Sequence, residues 1–125
     1  MTPDGILQAI ERFRIAYNSA DVPTLEGLLS ERVKWGHRNK FKGEGRAELI
    51  RSIAEFSEKA PGRYFANFGR TAVNDQIVFA EQKWHATPAN SDPAWGWEKG
   101  VPFSMETCSV FVFQDGKIIE WSDFG

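Results

Sequence analysis

The feature that most constrains this chain is a segregation of patterns. Helical periodicity belongs to the first half, broken by one short strand, and from Arg63 onward only strand patterns remain. "PDGILQAIERFRIAYNSAD" places Ile6, Ile10, Phe13 and Tyr17 at helical spacing, with Asp4 the expected N-cap. "DVPTLEGLLSE" restarts as a second, short helix: Asp21 caps it, Pro23 suits its first turn, and Leu25, Leu28 and Leu29 form its inner face. "RVKWGHR" alternates as a short strand, with Val33, Trp35 and His37 on one side. "NKFKGEG" reads as a loop. "RAELIRSIAEFSEKA" is a third helix with Leu49, Ile50, Ile53 and Phe56 inside, stopped by Pro61-Gly62. Two hairpins follow. "RYFANFGRTAV" and "QIVFAEQKWHA" meet near Asn74-Asp75, and "PFSMETCSVFVF" and "KIIEWSDF" meet at Gln114-Asp115-Gly116.

Helices followed by a run of antiparallel strands is an α+β pattern. The apolar face of the sheet needs a cover, and three helices are available. A curved antiparallel or mixed sheet that curls around the long N-terminal helix, with two shorter helices beside it, makes a cone with an open end. At 125 residues, and with no repeat or low-complexity tract, the chain reads as a single domain over 1–125. Ten Phe and five Trp are rich for this length and favour a large core or an aromatic-lined cavity. A formal net charge of −2 gives no electrostatic case for nucleic acid or an anionic membrane. Cys108 is the single cysteine, so no intrachain disulfide forms. No apolar run approaches the ~20 residues that span a bilayer, and "MTPDGILQAIERF" lacks a signal-peptide pattern. A cytoplasmic protein is the expectation.

The order of elements resembles the NTF2-like superfamily, also called the SnoaL-like or ketosteroid-isomerase-like fold. "AYNSADVPTLEGLLSERVKW" is similar to that family's helix, turn, helix and first strand. "FKGEGRAELIRSI" is similar to its glycine-led third helix, and "VFVFQDGKIIEWSDF" to its closing hairpin. Within the superfamily the closing stretch looks closest to limonene-epoxide-hydrolase-like proteins, which end in a Gly-Lys-Ile, tryptophan, aspartate pattern. The resemblance implies that Asp123 sits in the pocket and shares acid/base work. The other functional positions depart from that family. Trp35 and His37 stand where it has a tyrosine and an asparagine, and Gln82 and Trp84 where it has an Arg-x-Asp pair. That departure speaks against epoxide hydrolysis by the family's mechanism and leaves the fold expectation intact.

The residues themselves nominate a site. Strict alternation over "KIIEWSDF" puts Ile119, Trp121 and Asp123 on one face, so a carboxylate shares a face with apolar groups. Lost solvation there raises its pKa toward neutrality, as a general acid or base requires. The bland alternative is a solvated residue at a fraying strand end. His37, on the face of Val33 and Trp35, is the second catalytic candidate; its alternatives are a histidine hydrogen-bonded in the wall or one on the outer face beside Arg38. Gln82 and Trp84 share one face of their strand and suit a binding wall, as does Tyr17 at the end of the first helix; Trp84 and Tyr17 fit plain core equally well. The face of Glu106, Cys108, Val110 and Val112 and the face of Met105, Thr107, Ser109, Phe111 and Phe113 are both open as cavity linings. The loop "TPANSDPAWGWEKG" carries Trp95 and Trp97, which form a lid over the open end, a partner contact, or an ordered loop on the back of the sheet.

No cofactor and no metal are expected. His37 and His85 lie on different strands with no third ligand at a recognisable spacing, "FKGEGR" lacks the phosphate-loop spacing, and no Ser-His-Asp order or nucleophile elbow occurs. The expected function is binding of a small apolar molecule in the cone, with acid/base chemistry of isomerase, dehydratase, cyclase or hydrolase type. The alternative is a non-catalytic ligand-binding or dimerisation module of the same fold. In either case a homodimer through the outer sheet face is expected.

Overall fold

A computed structural model describes residues 1–125. Helix α1 (Pro3–Ser19) is followed by α2 (Val22–Leu28), β1 (Leu29–His37), β2 (Phe41–Glu44), α3 (Arg46–Lys59), β3 (Tyr64–Phe65), β4 (Thr71–Asn74), β5 (Ile77–Ala86), β6 (Phe103–Gln114) and β7 (Lys117–Phe124). The seven strands form one mixed sheet in the order β2-β1-β7-β6-β5-β3, with β4 also paired to β5. All pairings are antiparallel except β1 with β7. This is the expected α+β cone: a curved sheet around α1, with two shorter helices.

Helix α1 forms because its apolar residues recur at intervals of three and four. Ile6, Ile10, Phe13 and Tyr17 are all buried against the concave sheet face. Its N-cap is Thr2, whose hydroxyl accepts from the Gly5 N–H, with Pro3 opening the helix. The expectation of Asp4 is corrected by two residues, because proline fits the first helical position and leaves Thr2 as the cap. Asp21 caps α2 as expected. The side chain of Asn18 ties α1 to β3. Its amide donates to Phe65 O at 3.0 Å and its oxygen accepts from Phe65 N at 2.8 Å. A two-residue strand is thereby held by a helix as well as by β5.

Three further expectations change. Residues 41–44, read as loop, form β2 against β1. The close approach needs glycine: a Cβ on Gly36 would collide with the Phe41 carbonyl, and one on Gly43 with the Trp35 indole. "RYFANFGRTAV" is not one strand but two short ones, β3 and β4. The third change is a bulge in the closing hairpin. Phe113 pairs with Ile118, but Val112 pairs with Glu120, so Ile119 is the extra residue. Ile118, not Ile119, therefore joins Trp121 in the core. The turn before it is as the sequence indicates: Asp115 (φ 51°) and Gly116 (φ 76°) are both left-handed, which a two-residue hairpin of this twist demands.

The β6 question resolves cleanly. Thr107, Ser109, Phe111 and Phe113 face inward and are buried, and Glu106, Cys108, Val110 and Val112 face outward. The narrow end of the cone is packed solid around Phe13, whose ring meets Phe111 edge-on at 5.4 Å and Trp121 at 4.9 Å.

Candidate active site

The open end of the cone is hollow. A cavity of about 360 Å³ runs from the inner sheet face to the tryptophan loop. Its floor comes from β1 and β7, which run parallel, so Trp35 pairs with Trp121 and His37 with Asp123 as direct neighbours. One wall is α3, through Leu49, Ser52, Ile53 and Phe56. Residues 87–102 form the other side of the mouth. Asp92 and Trp97 bridge within that loop, which turns Trp95 and Trp97 inward. There Trp97 packs on Phe56 and Phe103, and Trp95 on Phe41 and Phe56. Lys40 lies over the Trp95 ring at 5.7 Å, a cation–π contact that joins the loop after β1 to the 87–102 loop.

Asp123 supplies the carboxyl. Its Oδ1 accepts from the Ser109 hydroxyl at 2.5 Å, and the same Ser109 oxygen accepts from Gln82 Nε2 at 2.6 Å. Burial pushes the Asp123 pKa up to about 6. The Ser109 bond works against that rise, as does the nearby Trp121 N–H, which lies outside hydrogen-bonding geometry. A group poised there exchanges its proton near neutral pH. Beside it, His37 is 6% exposed and neither ring nitrogen has a hydrogen-bond partner. Burial and then the charge of Lys40 lower its pKa, opposed by the backbone of Gly125, so the imidazole is neutral at pH 7. His37 and Asp123 are thus side by side but not bonded to each other.

Further polar atoms converge without partners. Thr107 Oγ1 and Trp121 Nε1 are buried, line the cavity wall with their residues, and bond to nothing in the protein. An unpaired buried donor costs about 1–3 kcal/mol, so the wall of this hollow carries local strain. Tyr17 also lines the cavity, but its hydroxyl accepts from Trp84 Nε1 at 3.1 Å. Burial pushes that phenol up to about 12, so it stays neutral. Beneath its ring lies Arg63, 2% exposed, 4.1 Å from the ring centroid, donating to the carbonyls of Asn18 and Ile53.

Of the residues singled out from sequence, Asp123, His37, Tyr17, Trp35, Trp84, Trp95, Trp97 and Trp121 all border this cavity. Gln82 does not; it stands one hydrogen bond behind, through Ser109. The sequence reading missed Lys40, and it named Thr107 and Ser109 only on one of two faces open as cavity linings. The alternation of Thr107 and Ser109 with apolar residues was visible, but not which face turned inward.

Residues 10–121 match the SnoaL-like domain, which covers most of the sequence. The chain belongs to the SnoaL-like domain family. Solved structures share the fold of this SnoaL-like chain. A candidate polyketide cyclase from Xanthomonas campestris superposes with a TM-score of 0.84 at 17% identity, over 98% of this chain and 90% of that one. An LEH-like epoxide hydrolase from M. tuberculosis gives 0.77 at 16% identity, over 97% and 82%. An NTF2-like protein of unknown function from Burkholderia pseudomallei gives 0.77 at 16%, over 98% and 90%. Identities this low speak to fold alone. No curated protein matches the sequence. No helix is long and apolar enough to cross a membrane.

Proposed function

We propose that this SnoaL-like chain binds a small, largely apolar molecule bearing an oxygen function in the cone, and that Asp123 moves a proton on it. The observation that carries this reading is a single buried constellation. A carboxyl with a pKa raised to about 6 opens on a hollow of about 360 Å³, a size in the usual range for ligand sites, lined mostly by aromatic and aliphatic side chains. The rings of Trp35, Trp84, Trp95, Trp97, Phe56 and Phe103 would hold the apolar body. Asp123 Oδ2, the carboxyl oxygen left open to the cavity, would meet the ligand's oxygen function, with neutral His37 as its register neighbour on β1. Isomerisation, dehydration, cyclisation and hydrolysis all use such a step. Acid/base chemistry on a small molecule also suits neighbours named as a cyclase and an epoxide hydrolase.

One observation favours a second reading, binding without chemistry. At the position of the Arg-x-Asp pair this chain has Gln82, committed to Ser109, and Trp84, committed to Tyr17. No second carboxylate stands deep in the cavity to divide the work. A single experiment separates the two. Oxygenated apolar molecules are screened for thermal stabilisation of the protein at pH 7, and each hit is incubated with wild type and with Asp123→Asn. Turnover that falls about 10²–10⁴-fold in the variant is expected for a general acid or base. Hits that stay chemically unchanged favour binding alone, and turnover at the wild-type rate in the variant removes Asp123 from the mechanism.

A further inference from the structure

The hydrogen bonds behind Asp123 have a direction fixed by chemistry. Gln82, Ser109 and Asp123 lie on three adjacent strands, β5, β6 and β7. Ser109 is the register partner of Asp123, and Gln82 reaches it diagonally from opposite Thr107. An amide N–H can only donate, so at 2.6 Å Gln82 Nε2 makes Ser109 Oγ the acceptor. The one hydroxyl hydrogen of Ser109 is then free for Asp123 Oδ1 at 2.5 Å. Ser109 is 0% exposed and Gln82 6%, so no water competes for either bond. Oδ2, by contrast, accepts no bond from the protein and is not among the sealed, unpartnered atoms, so it is the oxygen open to the cavity.

We propose that Gln82 and Ser109 are positioning residues for Asp123: they hold Oδ1 in a one-way chain of donors and leave Oδ2 alone to take and return the proton. The inference rests on the proposed role of Asp123 and adds to it. A serine alone would rotate, and its hydroxyl would accept from the carboxylic acid as readily as donate to the carboxylate. The Gln82 N–H removes that freedom, so the pair favours the ionised form and fixes the carboxyl plane. Other groups act on the same carboxyl. His37 faces it from β1, and Tyr17, with Arg63 stacked beneath, faces it from α1. Lys40 and Glu98 stand at the mouth. The charges of β5 and β6, Glu81, Lys83 and Glu106, pair on the outer face, and Glu120 of β7 pairs there with Arg38.

The test reads the carboxyl directly. Aspartate side chains are labelled with ¹³C, the Asp123 resonance is identified by its loss in Asp123→Asn, and its midpoint is followed by pH titration. Ser109→Ala is expected to raise the midpoint by about one unit, a roughly tenfold tighter hold on the proton. Gln82→Leu, which keeps the hydroxyl but frees its rotation, is expected to raise it by less, and Ser109→Thr to restore the wild-type value. A purely structural role for either residue would change the melting temperature and leave the midpoint where it was. An unchanged midpoint in folded Ser109→Ala and Gln82→Leu overturns the inference; if the alanine variant does not fold, Gln82→Leu decides alone. The two readings fail separately. Full turnover in Asp123→Asn would topple the catalytic role and leave the relay standing, whereas an unmoved midpoint would topple only the relay.

Discussion

The two ends of the cone use the same residue types for opposite purposes. At the narrow end, aromatic and aliphatic side chains are shut away from solvent: Ile6, Ile10, Phe111 and Ile118 are 0% exposed, and Phe13 meets Phe111 and Trp121 edge-on. At the open end, rings from α3, β5 and the 87–102 loop stand around a void, and polar atoms lack partners. Filling space with rings stabilises; arranging rings around space stores a binding surface at the cost of some stability. The sheet joins the two, because β6 and β7 carry Phe111 and Trp121 at one level and Ser109 and Asp123 one step further along. Rigid packing below is what holds the carboxyl still above.

That contrast is easy to break from either side. Phe13→Ala opens a cavity in the packed end and should cost about 3–5 kcal/mol, read as a large fall in the denaturant midpoint. At the open end the sign reverses. The folded-state pKa of Asp123 is raised from 3.8 to about 6, so the native state holds its proton more tightly than the unfolded chain does. Stability is therefore highest below the unfolded pKa, falls as pH rises through the window from about 4 to 6, and stays lower above it. Asp123→Asn removes that penalty. The variant should be more stable than wild type at pH 8, by up to about 3 kcal/mol, and should lose the advantage at pH 4; denaturant titrations at both values check it. A variant less stable than wild type at pH 8 would mean that the carboxylate is well solvated or well paired. The smallest effect belongs to the tryptophan loop. Trp95 is half-buried, so Trp95→Ala should lower stability by about 1 kcal/mol while it opens one side of the mouth.

Much of this was legible before any coordinates. The spacing of Ile6, Ile10, Phe13 and Tyr17 specifies α1 and its buried face, and Asp115-Gly116 specifies the closing turn, because both are local rules written in local residues. The face of β7 was half legible. Alternation placed Trp121 with Asp123, but the bulge at Ile119 exchanges Ile118 for Ile119 in the core, and a bulge is set by cross-strand pairing that one strand does not encode. The same reason hides β2, whose four residues become a strand only because Gly36 and Gly43 let it approach β1. The site was legible as a set of inward-facing residue types. What escaped was connection: that His37 and Asp123 are register neighbours follows from the parallel β1–β7 pairing, and that Gln82 serves Asp123 through Ser109 follows from three strands lying side by side.

The most direct measurement is the titration of the Asp123 carboxyl in the unmodified, ligand-free protein by ¹³C NMR. A midpoint near pH 6 is the expected result, and a ligand seated over the carboxyl should move it. A midpoint near 3.8, the value of a freely hydrated aspartate, would contradict the account, because it would mean that no water-poor hollow encloses the group.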